Sequence, residues 1–222
     1  MRWVDEFSYT VLGPFWPEYL VAKELRRKGW KVYRNFHCYD PQHAQYAEID
    51  VLGVSRDGFI IIEVKSYSGD WYSLDHCSRP MWKKGGRQDK FKSPVWQVRR
   101  ARLALINSVL QAYPSTVARI LDSCRTYVFL DRGVVVNAGE TGVAKAWADM
   151  NVQVLPLSQR GVLPVASAPT SAAFHDWLDS YYWHFRWRFY YKLLWKLQLL
   201  DAQLRNVCRR WGERHQSEQT RP

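Results

Sequence analysis

Cysteine is scarce in this chain of 222 residues, which contains four in all. They are far apart in the sequence, at Cys38, Cys77, Cys124 and Cys208. There is no Cys-x-x-Cys pair and no zinc-like spacing with histidine, and no second pair completes a site with His76 and Cys77. The sequence therefore excludes a disulfide framework and a zinc finger, and it predicts reduced thiols in a cytoplasmic protein.

A long apolar run is also missing. A membrane span requires about 20 consecutive apolar residues, and the densest stretch, residues 181–200, is interrupted by four Arg or Lys residues. The sequence opens with Met-Arg-Trp-Val-Asp-Glu, which has no positive region followed by an apolar stretch, so we expect no secretory signal. The Gly-x-x-x-x-Gly-Lys-Ser/Thr loop that binds ATP is absent as well, so any motor would be a separate protein.

Acidic residues are outnumbered. The chain has 21 Asp and Glu against 32 Lys and Arg, a formal net charge of +11. A basic excess of this size suits a polyanionic partner, either nucleic acid or an anionic membrane surface. Hydrophobic residues make up 47% and charged residues 24%, which is an ordinary globular composition and excludes wholesale disorder.

The hydrophobic pattern predicts alternating helices and strands. A helix is expected over residues 15–28, with Gly29 ending it, and strands over 31–36, 48–54 and 59–65. Residues 67–94 are interpreted as a long basic loop with room for a short hairpin, followed by a helix over 95–111 and strands over 125–130 and 152–157. The order helix, three strands, helix, strand is typical of a mixed α/β fold.

A change of composition divides the chain. Residues 161–170 are rich in Pro, Ala and Ser and are interpreted as a linker. The predicted domains are therefore a main α/β domain over 1–160, the linker over 161–170, and a basic, aromatic-rich amphipathic helical extension over 171–222.

One pair of strands carries the residues suited to chemistry. Glu63 and Lys65 are separated by one residue, so the alternation of a strand puts both on the same face, and pairing with the preceding strand can bring Asp50 close to them. Two carboxylates and a backbone carbonyl are oxygen ligands that suit Mg²⁺, and a lysine beside them can assist an attacking water. The alternative is a surface salt bridge between Glu63 and Lys65, which the apolar sequence of the strand disfavours.

These residues resemble a known family. Glu-Ile-Asp (48–50), a turn, and Ile-Ile-Glu-Val-Lys-Ser-Tyr-Ser-Gly (61–69) are similar to the nuclease-related domain (NERD) family of the PD-(D/E)XK, or restriction-endonuclease-like, superfamily. Pro17-Glu18 resembles the Gly-Glu that opens the family's first helix, and Ser93-Pro94-Val95-Trp96-Gln97 resembles its Asn-Pro-x-x-Gln signature. The resemblance covers residues 15–131, and Pro17 and Ser93 are departures that remove no catalytic group.

The resemblance implies a restriction-endonuclease-like core, with a mixed central sheet flanked by helices in the order αβββαβ, followed here by the long C-terminal helical extension. It implies that Asp50 and Glu63 bind Mg²⁺, with Mn²⁺ as a substitute, and that Lys65 is the catalytic lysine. Glu18 would approach the site from the first helix, or else interact only with the helix dipole. Gln97 would lie near the site, or else bond to backbone, and Glu48 is assigned to the rim.

A basic block follows the catalytic motif and is the predicted nucleic-acid-binding surface. Its members are Lys83, Lys84, Arg87, Lys90, Lys92, Arg99 and Arg100. Aromatic residues are interleaved with it and would either stack on unpaired bases or pack the loop down: Trp71, Tyr72, Trp82, Phe91 and Trp96.

The expected function is a Mg²⁺-dependent nuclease, an endonuclease or an exonuclease, that hydrolyses nucleic acid. DNA is favoured by analogy with the superfamily, and RNA is the alternative. Rival interpretations are a nucleic-acid-binding module that does not cut, and an interaction protein that assembles through its C-terminal helix. In that helix, Leu193, Leu197, Leu200 and Leu204 form a stripe that suits packing on the core, a homodimer or partner helix, a membrane surface, or nucleic acid.

Overall fold

The computed structural model describes residues 15–56, 58–78, 80–87, 90–112, 124–166, 176–180 and 182. We number three helices in chain order: α1 is Phe15–Arg27, α2 is Pro94–Ala112 and α3 is Thr141–Asp149. The strands are β1 Lys31–Asp40, β2 Gln45–Ser55, β3 Gly58–Ser73, β4 Met81–Lys84, β5 Lys90–Lys92, β6 Arg125–Val135 and β7 Val152–Pro156, and a 3₁₀ helix follows at Leu157–Val162. The predicted mixed α/β fold is confirmed.

The strands form one mixed sheet around β3. In the described part of the chain, β1, β2 and β3 are antiparallel neighbours, and β6 and β7 continue the sheet in parallel on the other side of β3. β4 and β5 form a hairpin that pairs with the last residues of β3. β4–β5 is the short hairpin for which the prediction over residues 67–94 left room, whereas the long loop itself is corrected, because β3 continues to Ser73 and much of the segment is strand.

The first helix packs on one face of the sheet. Val21, Ala22 and Leu25 are buried together with Val51, Ile60 and Ile62 of the central strands. Gly53 lies under this helix, where an added Cβ would come within 3.2 Å of the Leu25 side chain, a tight contact that Leu25 would have to shift to relieve. Gly29 ends the helix with φ 86°, a left-handed conformation that glycine adopts without strain.

The second helix is tied to β1. Ser93 begins it by accepting a hydrogen bond from the Trp96 N–H at 3.3 Å, and Pro94 is its first residue. The Cys38 thiol donates to the Ala101 carbonyl, and Asn107 donates to Asp40 at 2.9 Å. These bonds attach the middle and later part of α2 to β1, the neighbour of β2 in the sheet.

A buried carboxylate joins the β4–β5 hairpin to the third helix. Asp75 Oδ2 accepts hydrogen bonds from Ser73 Oγ, Trp82 Nε1 and Trp147 Nε1 at 2.8–2.9 Å. Trp82 is fully buried, so the hairpin is attached through its own core side chain. The basic residues that the hairpin carries are therefore held in fixed positions relative to β3.

The chain divides into two compact units, Met1–Asp176 and Trp177–Pro222. In the first unit, the segment that enters the predicted linker is tied to the end of α1: Trp30 Nε1 donates to the Pro164 carbonyl at 2.8 Å, and the Ala166 N–H donates to the Lys28 carbonyl at 2.8 Å. Residues 167–170 of that linker and nearly all of the predicted extension over 171–222 lie outside the described residues. No helix in the described ranges has the length and hydropathy required to span a membrane.

Candidate active site

The site begins on β3, where an apolar strand ends in a charged pair. Phe59, Ile60, Ile61 and Ile62 are all buried, as expected of a central strand covered on both faces. Glu63 is still buried, with 6% of its surface exposed, and its carboxylate forms an ion pair with the Lys65 ammonium. A surface salt bridge is therefore the wrong description of this pair.

Asp50 meets the pair from β2, at the point where the two strands separate. The β2–β3 ladder runs from Ser55 and Gly58 to Val51 and Ile62 and ends there. One residue further on, Asp50 Oδ2 accepts the Val64 N–H at 2.7 Å, in place of a backbone carbonyl. The Asp50 carboxylate thus supplies the acceptor that the Val64 N–H needs once the two backbones have diverged. The divergence leaves a cleft between β2 and the β4–β5 hairpin.

The cleft has a volume of about 470 Å³ and combines acidic and basic side chains. It brings together six of the residues predicted from the sequence and three further residues of β2. Its lining consists of Tyr46, Ala47, Glu48, Asp50, Glu63, Lys65, Lys92, Gln97 and Arg100.

The negative charges of the two buried carboxyls are unfavourable in their surroundings. Burial, reinforced by Asp50 and opposed by Lys65, raises the pKa of Glu63 to about 8. Burial also raises the pKa of Asp50, against the effects of Lys65 and of the Val64 N–H. Burial alone would lower the pKa of Lys65, but Glu63 and Asp50 raise it above its ordinary value, so the side chain is a cation at neutral pH.

The carboxylate pair fits a divalent cation. Lys65 does not offset the cost of burying both acids, as their raised pKa values show, and a dication beside them would remove that cost. Mg²⁺ is commonly held by one or two carboxylates while it keeps several waters. Among the described residues, no cluster of three or more His, Cys, Asp or Glu side chains is placed to hold a metal, so waters, a backbone carbonyl or substrate would complete the coordination.

Glu18 and Gln97 have different placements. Gln97 lies in the first turn of α2 and lines the cleft, as the resemblance implies. Glu18 is not part of the lining; its carboxylate pairs with Arg34 at 3.3 Å. Burial, reinforced by Asp50 and opposed by Arg34, raises the pKa of Glu18 to about 7, so Glu18 is electrostatically linked to the site rather than only to the helix dipole.

The predicted binding residues separate into two groups. Lys92 and Arg100 line the cleft itself. Lys83, Lys84, Arg87 and Lys90 lie on the hairpin, where Lys83 pairs in register with Lys90. Arg99 lies over the Trp96 ring, 4.7 Å from its centroid, instead of facing the cleft.

The aromatic residues interleaved with the basic block include both buried and exposed side chains. Trp71 and Trp82 are buried, and Trp71 stacks on Tyr67 with ring centroids 4.0 Å apart, so these indoles pack the hairpin down. Tyr72 and Phe91 remain more than a third exposed, which leaves them accessible to a ligand.

Sequence reasoning missed Tyr46 and Ala47 and placed Glu48 only at the rim. The predicted strand began at residue 48, whereas β2 begins at Gln45 and pairs Tyr46 with Tyr39 of β1. The available signal was the alternation of Tyr46, Glu48 and Asp50, which puts all three on one face of the strand.

A mixed sheet flanked by helices, with a carboxylate–lysine cluster where two central strands separate, is consistent with a nuclease-like fold. The model of one family, the nuclease-related domain, matches residues 15–130, more than half of the chain. The chain therefore belongs to the nuclease-related domain family. No curated protein and no solved structure matches it.

Proposed function

We propose that this protein is a Mg²⁺-dependent nuclease that hydrolyses phosphodiester bonds, with DNA as its substrate. The observation that carries the proposal is the pair of buried carboxyls, Asp50 and Glu63, which converge with Lys65 on a cleft that also contains Lys92 and Arg100. Burial raises the pKa of both acids, and acids with raised pKa values are common at functional sites. Their ionisation would destabilise the metal-free fold.

Asp50 and Glu63 would hold the metal, which would polarise the scissile phosphate and lower the pKa of a bound water. The Val64 N–H fixes the orientation of the Asp50 carboxylate. Because Lys65 is a cation at neutral pH, we assign it to orienting the water and stabilising negative charge on the phosphate, and not to removing a proton.

The remaining cleft residues would bind the strand. Lys92 and Arg100 would contact phosphates near the scissile bond, and Gln97 lines the same cleft from the first turn of α2. Lys83 and Lys90 on the exposed hairpin would extend this contact beyond the cleft. Such contacts supply affinity without reading sequence, so we expect strongly salt-dependent binding.

The experiment that tests the proposal is cleavage of plasmid, single-stranded DNA and RNA in Mg²⁺, in Mn²⁺ and in EDTA. Wild type is compared with Lys65→Ala and Glu63→Gln, and the matched controls are Lys145→Ala and Glu140→Gln, both exposed on or beside α3. We expect metal-dependent cutting of DNA that falls by roughly a hundredfold or more in the two site variants, and that the controls retain.

Two outcomes would refute the proposal. If wild type binds DNA but does not cut it, the protein is better described as a nucleic-acid-binding module. Cutting that survives Glu63→Gln and Lys65→Ala would place the catalytic centre elsewhere. Preference for RNA over DNA would correct the substrate while leaving the hydrolase assignment intact.

A further inference from the structure

A second, smaller cavity adjoins the catalytic cleft. Its volume is about 140 Å³, and it shares Tyr46, Ala47 and Arg100 with the cleft. The remaining lining is contributed by the end of β1, the β1–β2 turn and α2: Asp40, His43, Gln45, Leu103 and Ala104. A strand bound in the cleft by Arg100 would therefore pass directly in front of this cavity.

The apolar part of the cavity is formed by exposed side chains. Tyr46 is 52% exposed and Leu103 is 43% exposed, and they reach the cavity from β2 and α2 respectively. Tyr46 is supported from behind by Tyr39, with ring centroids 4.9 Å apart. An aromatic ring held in this way, with an aliphatic side chain lining the same cavity, is a surface on which a flat base can stack.

The polar part is held in place by hydrogen bonds within the protein. Asp40 is buried; its Oδ1 accepts from the Gln42 N–H and from Asn107, and its Oδ2 lies 2.7 Å from His43 Nδ1. Arg100 donates to Gln45 Oε1 at 2.5 Å, which holds the guanidinium between the cleft and the cavity. These bonds fix the polar wall of the cavity and leave the Arg100 cation at its border with the cleft, where a phosphate could bind.

We propose that this cavity binds an unpaired nucleobase of the strand whose phosphate lies in the cleft, with the base stacked on Tyr46 and covered by Leu103. The inference rests on the proposed function, because it requires a nucleic-acid strand to be bound in the neighbouring cleft. A base inside a duplex is paired and stacked and enters such a cavity only if it is flipped out, at an energetic cost. The substrate class is therefore single-stranded or locally unpaired nucleic acid.

The test measures binding and cleavage separately. Binding is measured by fluorescence anisotropy in a Lys65→Ala background, with a single-stranded oligonucleotide and with its duplex. A set of single-stranded oligonucleotides, each with a fluorescent adenine analogue at a different position, reports which base is stacked on the protein. The variants are Tyr46→Ala, Tyr46→Phe and Leu103→Glu, and the control is Tyr19→Ala, an exposed tyrosine on α1 that lines neither cavity.

We expect Tyr46→Ala to weaken single-strand binding by roughly 5- to 150-fold, the range for loss of one base–aromatic stack. Tyr46→Phe keeps the ring and should stay within about twofold of the parent, as should Tyr19→Ala. Leu103→Glu should exclude the base, because a bound base would remove water from the new carboxylate and the negative charge would repel the phosphates of the strand. One position of the analogue should change its fluorescence on binding, and Tyr46→Ala should abolish that change.

The results separate this inference from the proposed function. If wild type cleaves DNA but, in the Lys65→Ala background, Tyr46→Ala and Leu103→Glu neither weaken single-strand binding nor alter the analogue's signal, the cavity is not a base site and the nuclease assignment stands. If no cleavage occurs but the position-specific signal is present and lost in Tyr46→Ala, the base site stands in a protein that does not cut. Equal affinity for duplex and single strand overturns the inference.

Discussion

Glu63→Gln should stabilise the metal-free protein at alkaline pH while abolishing its activity. The substitution keeps the size of the side chain and an oxygen that can accept from Lys65, while it removes the charge and replaces the second oxygen by an NH2 group. In the wild type that charge is buried, because only 6% of the Glu63 surface is exposed. Removing it should therefore relieve a destabilising interaction that the catalytic role requires.

The size of the effect follows from the pKa. The Glu63 pKa rises from 4.5 to about 8 on folding, mainly through burial, and at about 1.4 kcal/mol per pH unit this corresponds to at most about 5 kcal/mol. Below pH 4.5 the carboxyl is protonated in both states and the folded state is not penalised. As the pH rises towards 8, the unfolded chain releases its proton first, so the free energy of unfolding falls across this window.

The assay is urea unfolding in EDTA at about pH 4 and pH 8, for wild type, Glu63→Gln and the exposed control Glu140→Gln. Glu63→Gln should match wild type at the lower pH and exceed it by a few kcal/mol at the higher one. A residual pH dependence should remain in Glu63→Gln, because Glu18 also titrates at about 7. Adding Mg²⁺ at the higher pH should stabilise wild type and have little effect on the variant. Equal pH dependence in wild type and Glu63→Gln would refute the reasoning.

Two further predictions concern Asp50 and the cations of the cleft. Asp50→Asn retains an oxygen for the Val64 N–H and should fold normally without activity, whereas Asp50→Ala leaves that N–H without its acceptor and should lower the free energy of unfolding by about 1–3 kcal/mol; equal stability of the two variants would contradict this. Lys92→Ala and Arg100→Ala should each reduce the slope of log affinity for DNA against log salt by about one, as measured by anisotropy. Lys145→Ala should leave the slope unchanged, and an equal loss in this control would show that the cleft cations are not specific contacts.

The parts of the fold that the sequence predicts well are those with a strong hydrophobic period. The first helix, β3 and α2 each bury a regular set of apolar residues, and their predicted positions agree with the structure within a few residues except at the end of β3. The approach of Asp50 to Glu63 and Lys65 could also be predicted, because strands joined by a tight turn pair as a hairpin.

The missed parts have weaker or conflicting local signals. A short hairpin is expected within residues 67–94, but the strands of β4–β5 are too short to be located by pattern, and their position depends on the buried Asp75, which no local pattern indicates. The third helix buries only Val143 and Trp147, too few residues to establish a helical period. The early start of β2 comes from pairing with β1, a tertiary contact, and it was this extension that brought Tyr46 to both cavities.

The length of β3 has a geometric consequence. The same strand presents Lys65 in the cleft and, six residues later, Trp71 in the ladder that carries the hairpin. Between these two residues the pairing with β6 shifts register and Gly69 has φ 74°, so the strand bends before it reaches the hairpin. Lys92 of that hairpin lines the same cleft as Lys65, so one strand both supplies a side chain to the cleft and anchors the hairpin that lines its other side. A change at the bend would therefore move Lys92 relative to Lys65 without altering either side chain.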